Sequence, residues 1–252
     1  MINSKKVKIH FDSLSTMYQY NYSQIKSGKT HEFCTRLQLV VNSISPGSGN
    51  LLDCACGTGE ITSHVLVPGG FTTAILCDIS GAMLDIAKTK MENVNPSTAL
   101  HYKKIDIFEY KPDSDMKFDV ILCLGLVAHT GALEVLLPHL KSLLKTDGKI
   151  ILQSSLATHW GIRFTRFFTA ARFKNKHGYD LSYFTLKDIE SHVRLSGLTI
   201  DRCQRYNFSF PFGDKISKMG NYWIEVLTEQ FSAKYGSDAI FVISHQKTAV
   251  VK

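Results

Sequence analysis

The chain reads as a doubly wound α/β protein built on a mostly parallel, seven-stranded sheet. Three observations predict it. An apolar run ends in an acid and a glycine-spaced turn at Leu51-Leu52-Asp53-Cys54-Ala55-Cys56-Gly57-Thr58-Gly59, the form taken by the first strand-to-helix turn of such sheets. A second apolar run, Ala74-Ile75-Leu76-Cys77, ends in Asp78, 19 residues past Gly59. Short apolar runs and helix-period segments then alternate through the first two-thirds of the chain. That order calls for parallel strands joined by right-handed crossovers.

The elements follow in order. A helix is expected over 30–44 and the first strand over 50–55. Gly57 and Gly59 remove Cβ atoms where the backbone must turn sharply and approach a ligand closely, and a helix over 60–66 follows. After the strand at 72–78, Ser80 caps a helix over 80–91 whose Met83, Leu84, Ile86 and Ala87 form one stripe. The strand at 99–106 alternates imperfectly and ends in Asp106-Ile107. Phe118 to Gly125 is a near-continuous apolar run, typical of a strand buried on both faces, and is read as a strand over 118–125. A helix over 131–145, the turn Thr146-Asp147-Gly148 and a strand over 148–155 complete the first part. Two further strands, at 198–208 and 239–246, flank a helix near 216–231. Ahead of them, after the strand at 148–155, lies a basic, aromatic segment, 156–185, with Phe164, Phe167, Phe168 and Ala171 at helical spacing among Arg163, Arg166, Lys174 and Lys176. It has three readings: a helix packing its aromatic face on the core, a lid over a substrate at the carboxyl edge, or a contact with anionic lipid.

The glycine turn lacks a full Gly-x-Gly-x-x-Gly fingerprint, because Thr62 stands at the third glycine position. Asp53 beside the turn would repel a pyrophosphate. It suits a ligand with an ammonium group, such as S-adenosylmethionine (SAM). Asp78 lies near the ~20-residue spacing at which a strand-end acid meets ribose hydroxyls. Asp106 with Ile107 would bond an adenine amino group and cover the ring, or Asp106 is a solvated acid in a polar loop.

Leu52 to Gly59, Asp78-Ile79-Ser80 with Met83-Leu84 and Ala87, Asp106-Ile107, and Phe118-Asp119-Val120 together resemble the class I SAM-dependent methyltransferases. The small-molecule branch that includes the quinone-biosynthesis enzymes is nearest. Phe11-Asp12-Ser13-Leu14 with Met17-Tyr18 resembles the segment that covers the cofactor in that branch. The resemblance spans roughly residues 8–155. It implies a Rossmann-like methyltransferase fold with an antiparallel last strand, and SAM as cofactor. The cofactor-binding set it implies is Tyr18, Asp53, Ala55, Gly57, Gly59, Asp78, Ile79, Met83, Asp106, Ile107 and Leu124. Ala55 stands where the family often has Gly. Tyr18 is expected to fold over the cofactor with Phe11 and Tyr22 nearby; the other reading is a segment packed on the sheet edge.

Methyl transfer needs a base only when the acceptor holds a proton that does not leave by itself. His129, in Leu126-Val127-Ala128-His129-Thr130, resembles a Leu-His-His-type segment of the family at its second His and is the candidate; it also reads as a structural His beside the next helix. The expected substrate residues are His159, Phe164, Phe167 and Tyr179, with His177 within reach. His10, His101, His139 and His192 read as surface or helix positions. No His, Cys or carboxylate spacing suggests a metal.

The 252 residues, 44% hydrophobic and 20% charged, suit one domain over 1–252, with a cofactor-covering segment at about 1–30 and a lid at about 156–185. A net charge of +7 favours anionic partners. The excess is spread along the chain, with one dense block at Lys5-Lys6-Val7-Lys8. No Asn-Pro-Pro-Tyr motif follows the fourth strand and Pro-Cys does not occur, so nucleic acid ranks below a small-molecule acceptor. The N-terminus is polar, with no secretory core, and no run approaches ~20 apolar residues. Four of the six cysteines fall in or beside strands and read as small buried side chains in a reducing, cytoplasmic setting. The expectation is a cytoplasmic SAM-dependent methyltransferase acting on O or N of a small or amphiphilic metabolite. Methylation of RNA or protein, or SAM binding without catalysis, are the alternatives. The oligomeric state is left open.

Overall fold

A computed structural model describes residues 4–18, 24–25, 28–45, 49–67, 70–92, 94, 97–113, 115–208 and 218–246. Its sheet has seven strands: β1 (Asn50–Asp53), β2 (Thr73–Asp78), β3 (Ala99–Lys104), β4 (Phe118–Cys123), β5 (Leu144–Ser155), β6 (Leu198–Tyr206) and β7 (Asp238–His245). They lie in the order 3-2-1-4-5-7-6. β7 runs antiparallel to both β5 and β6, and every other pairing in the sheet is parallel. The helices are α1 (Ser4–Leu14), α2 (His31–Val41), α3 (Glu60–Leu66), α4 (Gly81–Met91), α5 (Leu126–Thr130), α6 (Leu133–Leu143), α7 (Trp160–His177), α8 (Leu186–Leu195) and α9 (Lys218–Tyr235).

The central strands are apolar on both sides because both sides are covered. Leu52, Ile75, Ile121, Ile150 and Phe241 pack with Leu133, Leu136, Leu137 and Leu140 of α6 and Ile189 of α8. Leu51, Ala74, Val120, Leu122 and Ile151 face the other way, toward Phe33 and Val40 of α2 and Ile61, Val65 and Leu66 of α3. Adjacent residues of one strand serve opposite faces, as the two-residue strand period requires. Each such leucine contributes about 1.5–3 kcal/mol by leaving water.

Three departures from expectation bear on the site and its neighbourhood. β1 ends at Asp53, so Cys54 belongs to the turn, where its N–H donates to Leu122 O at 2.9 Å. The helix expected over 131–145 is α6, Leu133–Leu143, and a short helix not expected from the sequence, α5, precedes it and is ended by Gly131 at φ +64°. The turn Thr146-Asp147-Gly148 lies inside β5 as a bulge, since Leu144 pairs with Phe118 and Lys149 with Val120. A Cβ at Gly148 would stand 2.7 Å from Phe118 O, so only glycine lets the bulge close on β4. All six cysteines are free thiols. Cys54, Cys77 and Cys123 are buried, Cys56 is partly exposed, and Cys34 and Cys203 are exposed. Among the described residues no helix is long and apolar enough to cross a membrane.

Candidate active site

The strand order reverses between β1 and β4, whose neighbours lie on opposite sides. Their carboxyl ends therefore open a crevice, as in other doubly wound sheets. The β1–α3 turn shapes its floor. Gly57 takes φ +54°, and its N–H donates to Asp78 Oδ2 at 2.8 Å. The other Asp78 oxygen accepts from Ser80 N–H at 2.8 Å. Burial raises the Asp78 pKa against these two bonds. Gly59 serves packing: at φ +69°, a Cβ there would lie 2.8 Å from Met91 Cε and 3.3 Å from Ala87 Cβ, both on α4. Asp53 is 3% exposed. Its carboxylate accepts from the Thr62 hydroxyl and from Ala55 N–H at 3.3 Å. Burial pushes its pKa up to about 7 despite them. The threonine that breaks the dinucleotide fingerprint thus ties the first turn of α3 to the end of β1.

The crevice holds a cavity of about 760 Å³, part of it open to solvent. Cys54, Ala55 and Gly57 line it from the turn; Asp78 and Ile79 follow from β2; Ile105, Asp106 and Ile107 follow from β3. Leu124, Gly125, Leu126, His129 and Thr130 line the side beyond β4, and Ser4, Val7, Phe11 and Tyr18 close it from the N-terminal segment. Asp53, Gly59 and Met83 do not belong to this lining. Met83 is fully buried beneath α4, and the other two act on the turn's shape as described.

The N-terminal segment is a helix, pinned along its length. The Ser4 hydroxyl donates to Asp106 Oδ2 at 2.5 Å, Lys6 Nζ to Gly178 O at 2.8 Å, and Ser80 Oγ to Asp12 Oδ1 at 2.5 Å. Hydrogen bonds from Lys8 and Ser80 hold the Asp12 carboxyl below its ordinary range. Phe11 meets the Tyr18 ring edge-on at 6.2 Å. Tyr20 and Tyr22 lie outside the described residues.

At the far end of the cavity, His129 Nδ1 is 3.0 Å from Tyr179 Oη. The ring also meets Phe11 at 4.9 Å and lies 6.3 Å from His10. Burial, then His10 and His177, lower the His129 pKa to about 4. His10 falls to about 4 for kindred reasons: burial, then His177 at 4.1 Å, then Lys176. His10 is the residue that sequence reasoning missed. It was read as a surface or helix position; it is on a helix, but turned inward. The signal was the spacing of Val7, His10, Phe11 and Leu14, one face of a helix.

The rest of the expected substrate set is elsewhere, apart from Tyr179 on His129. His159 caps α7, Nδ1 accepting from Ile162 N–H at 3.4 Å, and meets Phe208 at 5.3 Å. It lies outside the cavity lining, because the cap geometry fixes its ring at the start of α7. Phe164 and Phe167 are 46% and 83% exposed. They project from the outer face of α7 and do not line the cavity. Among the described residues no three His, Cys, Asp or Glu side chains are arranged to hold a metal.

Comparison with known proteins agrees with this geometry. A family described as a methyltransferase domain matches residues 27–202, more than half of the chain. Malonyl-[acyl-carrier protein] O-methyltransferase 1 of Ilyobacter polytropus is 29% identical over 150 residues, 60% of this chain and 52% of that protein. Ubiquinone biosynthesis O-methyltransferase of Coxiella burnetii is 25% identical over 119 residues, 47% and 49% of the two chains. The chain thus spans about half the length of the curated relatives it matches. In solved structures, a mycolic acid cyclopropane synthase complexed with S-adenosylhomocysteine (SAH) superposes with TM-score 0.67 at 14% identity, covering 96% of this chain and 98% of that one. Magnesium protoporphyrin IX methyltransferase from Synechocystis, with bound SAM, gives 0.64 at 16% identity, covering 97% and 98%. Those two likenesses carry the fold, and the family match carries the rest: the chain belongs to the methyltransferase-domain family, of the class I, SAM-dependent kind.

Proposed function

We propose that this domain transfers a methyl group from SAM to an oxygen or nitrogen of a small or amphiphilic metabolite in a reducing, cytoplasmic compartment. The supporting observation is one cavity with a glycine turn and a strand-end acid at one end and a paired histidine at the other. The residues suit the cofactor. Gly57 offers backbone without a Cβ, and Asp78 would exchange its present bond to Gly57 N–H for ribose hydroxyls. Ile79 and Ile107 would flank the adenine, Asp106 would take its amino group, and Leu124 would border the methyl-bearing end. Asp53 acts through Thr62 and Ala55, fixing the turn. Tyr18 and Phe11 exclude water from the roof.

When bound, SAM supplies a methyl group on a positively charged sulfur, which an acceptor lone pair displaces. Holding that acceptor in line is the largest contribution the protein makes, up to about 7–11 kcal/mol. His129 takes the acceptor's proton. With Nδ1 engaged by Tyr179, the nitrogen left for this is Nε2, and it is free to accept only if Nδ1 carries the hydrogen and donates to Tyr179 Oη. Tyr179 is therefore a positioning residue: it orients the ring, and the bond leaves Nε2 able to accept in the tautomer whose Nδ1 donates. Six thiols without a disulfide suit the reducing compartment.

Incubation with methyl-labelled SAM and a panel of hydroxylated and amino metabolites tests this reading. The expected outcome is label in one acceptor class together with released SAH. SAM binding with no transfer to any small molecule, or transfer to RNA or protein instead, would overturn it.

A further inference from the structure

Helix α7 has two faces. Ile162, Thr165, Thr169 and Phe173 recur every three or four residues, are partly buried and turn toward the protein. Opposite them stand Trp160, Phe164, Phe167 and Phe168, with 50%, 46%, 83% and 56% of their surface exposed. Phe168 lies 5.1 Å from both Phe164 and Phe167, so the rings form one patch. At about 100° per residue, this aromatic stripe spans roughly a quarter to a third of the helix circumference. Arg163 and Lys174 border it on one side, Lys174 also pairing with the exposed Asp180 at 2.8 Å, and Arg172 borders it on the other. The helix sequence holds five Lys and Arg residues and no acid.

That combination selects a partner. A second copy of the chain would meet this face isologously and set one cationic helix against its twin. A row of four aromatic side chains this exposed marks a contact face. An anionic lipid surface satisfies both features: rings enter the acyl boundary while flanking cations keep their heads among phosphates. The chain's net charge of +7 adds to the attraction. No described helix can span a bilayer, so the contact lies along the surface.

We propose that α7 is a peripheral docking helix for anionic membranes, seated through Trp160, Phe164, Phe167 and Phe168. This docking goes beyond methyl transfer and needs neither cofactor nor acceptor. It also reaches the site. His177 at the end of α7 touches His10 of α1, and Tyr179 just beyond it meets His129.

Cosedimentation of the full chain with vesicles tests the proposal. One set is pure phosphatidylcholine, the other phosphatidylcholine mixed with phosphatidylglycerol. The wild type should partition onto the anionic set at least tenfold better, and added salt should weaken that preference. Arg163→Glu with Lys174→Glu should abolish the preference. Phe167→Ala with Phe168→Ala should lower partitioning at least tenfold, and calorimetry with SAH should show the same affinity as wild type, which certifies the fold. Brominated lipid should quench wild-type fluorescence more than that of Trp160→Phe. Failure of the wild type to bind either vesicle would overturn the proposal, as would binding that the α7 variants leave unchanged. A dimer in equilibrium sedimentation that Phe167→Glu dissociates would overturn it too, assigning the face to a second copy.

Discussion

On the proposed function, single residues set the cofactor end and the acceptor end of the cavity. Asp78 now bonds Gly57 and Ser80. On the proposed function, its replacement by Ala would remove a charge-assisted bond to ribose hydroxyls, worth roughly 1.5–3 kcal/mol. SAH affinity in calorimetry should fall on the order of tenfold to a hundredfold; unchanged affinity would contradict the assignment. At the other end, His129→Ala should lower turnover by ~10²–10⁴-fold while leaving SAH binding near wild type. The pKa of about 4 has a further consequence. His129 is neutral down to that pH, so the acid limb of kcat/KM in the free protein should fall near 4, well below an ordinary histidine. An acid limb near 6.5 would implicate a different base. At this scale the sequence located the acids at the strand ends and did not show what they bond. The spacing of Asp53, Gly57 and Asp78 marked the turn. That Thr62 closes on Asp53, and that Gly59 serves α4, depends on how α3 and α4 pack, which no local pattern encodes.

Among the elements, α1 has the most to reveal. It buries only Val7 fully, so it holds its place through the bonds of Ser4 to Asp106, Lys6 to Gly178 and Asp12 to Ser80. Each is worth about 0.5–3 kcal/mol, depending on charge. Ser4→Ala with Asp12→Ala should therefore free the helix often enough to speed tryptic cleavage after Lys5, Lys6 and Lys8 by roughly tenfold. SAH should slow cleavage of the wild type. Equal rates with and without ligand would argue that α1 packs on the sheet edge and takes no part in covering the site. The weak apolar pattern of 4–14 is also why the sequence left that stretch open between a helix and a loop. α4 was legible because Ser80 caps a regular apolar stripe. α5 was not, because the five residues Leu126–Thr130 between a strand end and Gly131 are too few to show a helical period.

For the molecule as a whole, the crevice couples ligand binding to folding. SAH at a hundredfold excess over its Kd should stabilise the fold by about 2.7 kcal/mol and raise the Tm by roughly 5–10 °C. Thermal denaturation checks this, with NAD as the control that should do nothing. Strand number, strand class and the parallel first part were all readable from alternating apolar runs and their spacing. The position of β7 between β5 and β6 was not. Periodicity fixes which residues face inward, but it is silent on which neighbour a strand chooses. The exposed aromatic face of α7 had the same origin: a helical stripe of phenylalanines looks identical in sequence whether it meets a core, a ligand or the outside.

Beneath the cavity, the thiols form a natural clock. Burial pushes Cys77 and Cys123 to about 12 and Cys54 well above its usual value, so none of them offers thiolate to an alkylating reagent near neutral pH. Exposed Cys34 should acquire a carbamidomethyl mass first, then Cys203, whose thiol burial also raises. The inner three should be marked only as fast as the sheet exposes them, and mass spectrometry then reads the opening rate strand by strand. Cys54 alone among them borders the cavity. If it is alkylated ahead of Cys77 and Cys123, the crevice breathes without unfolding, and SAH should erase that lead.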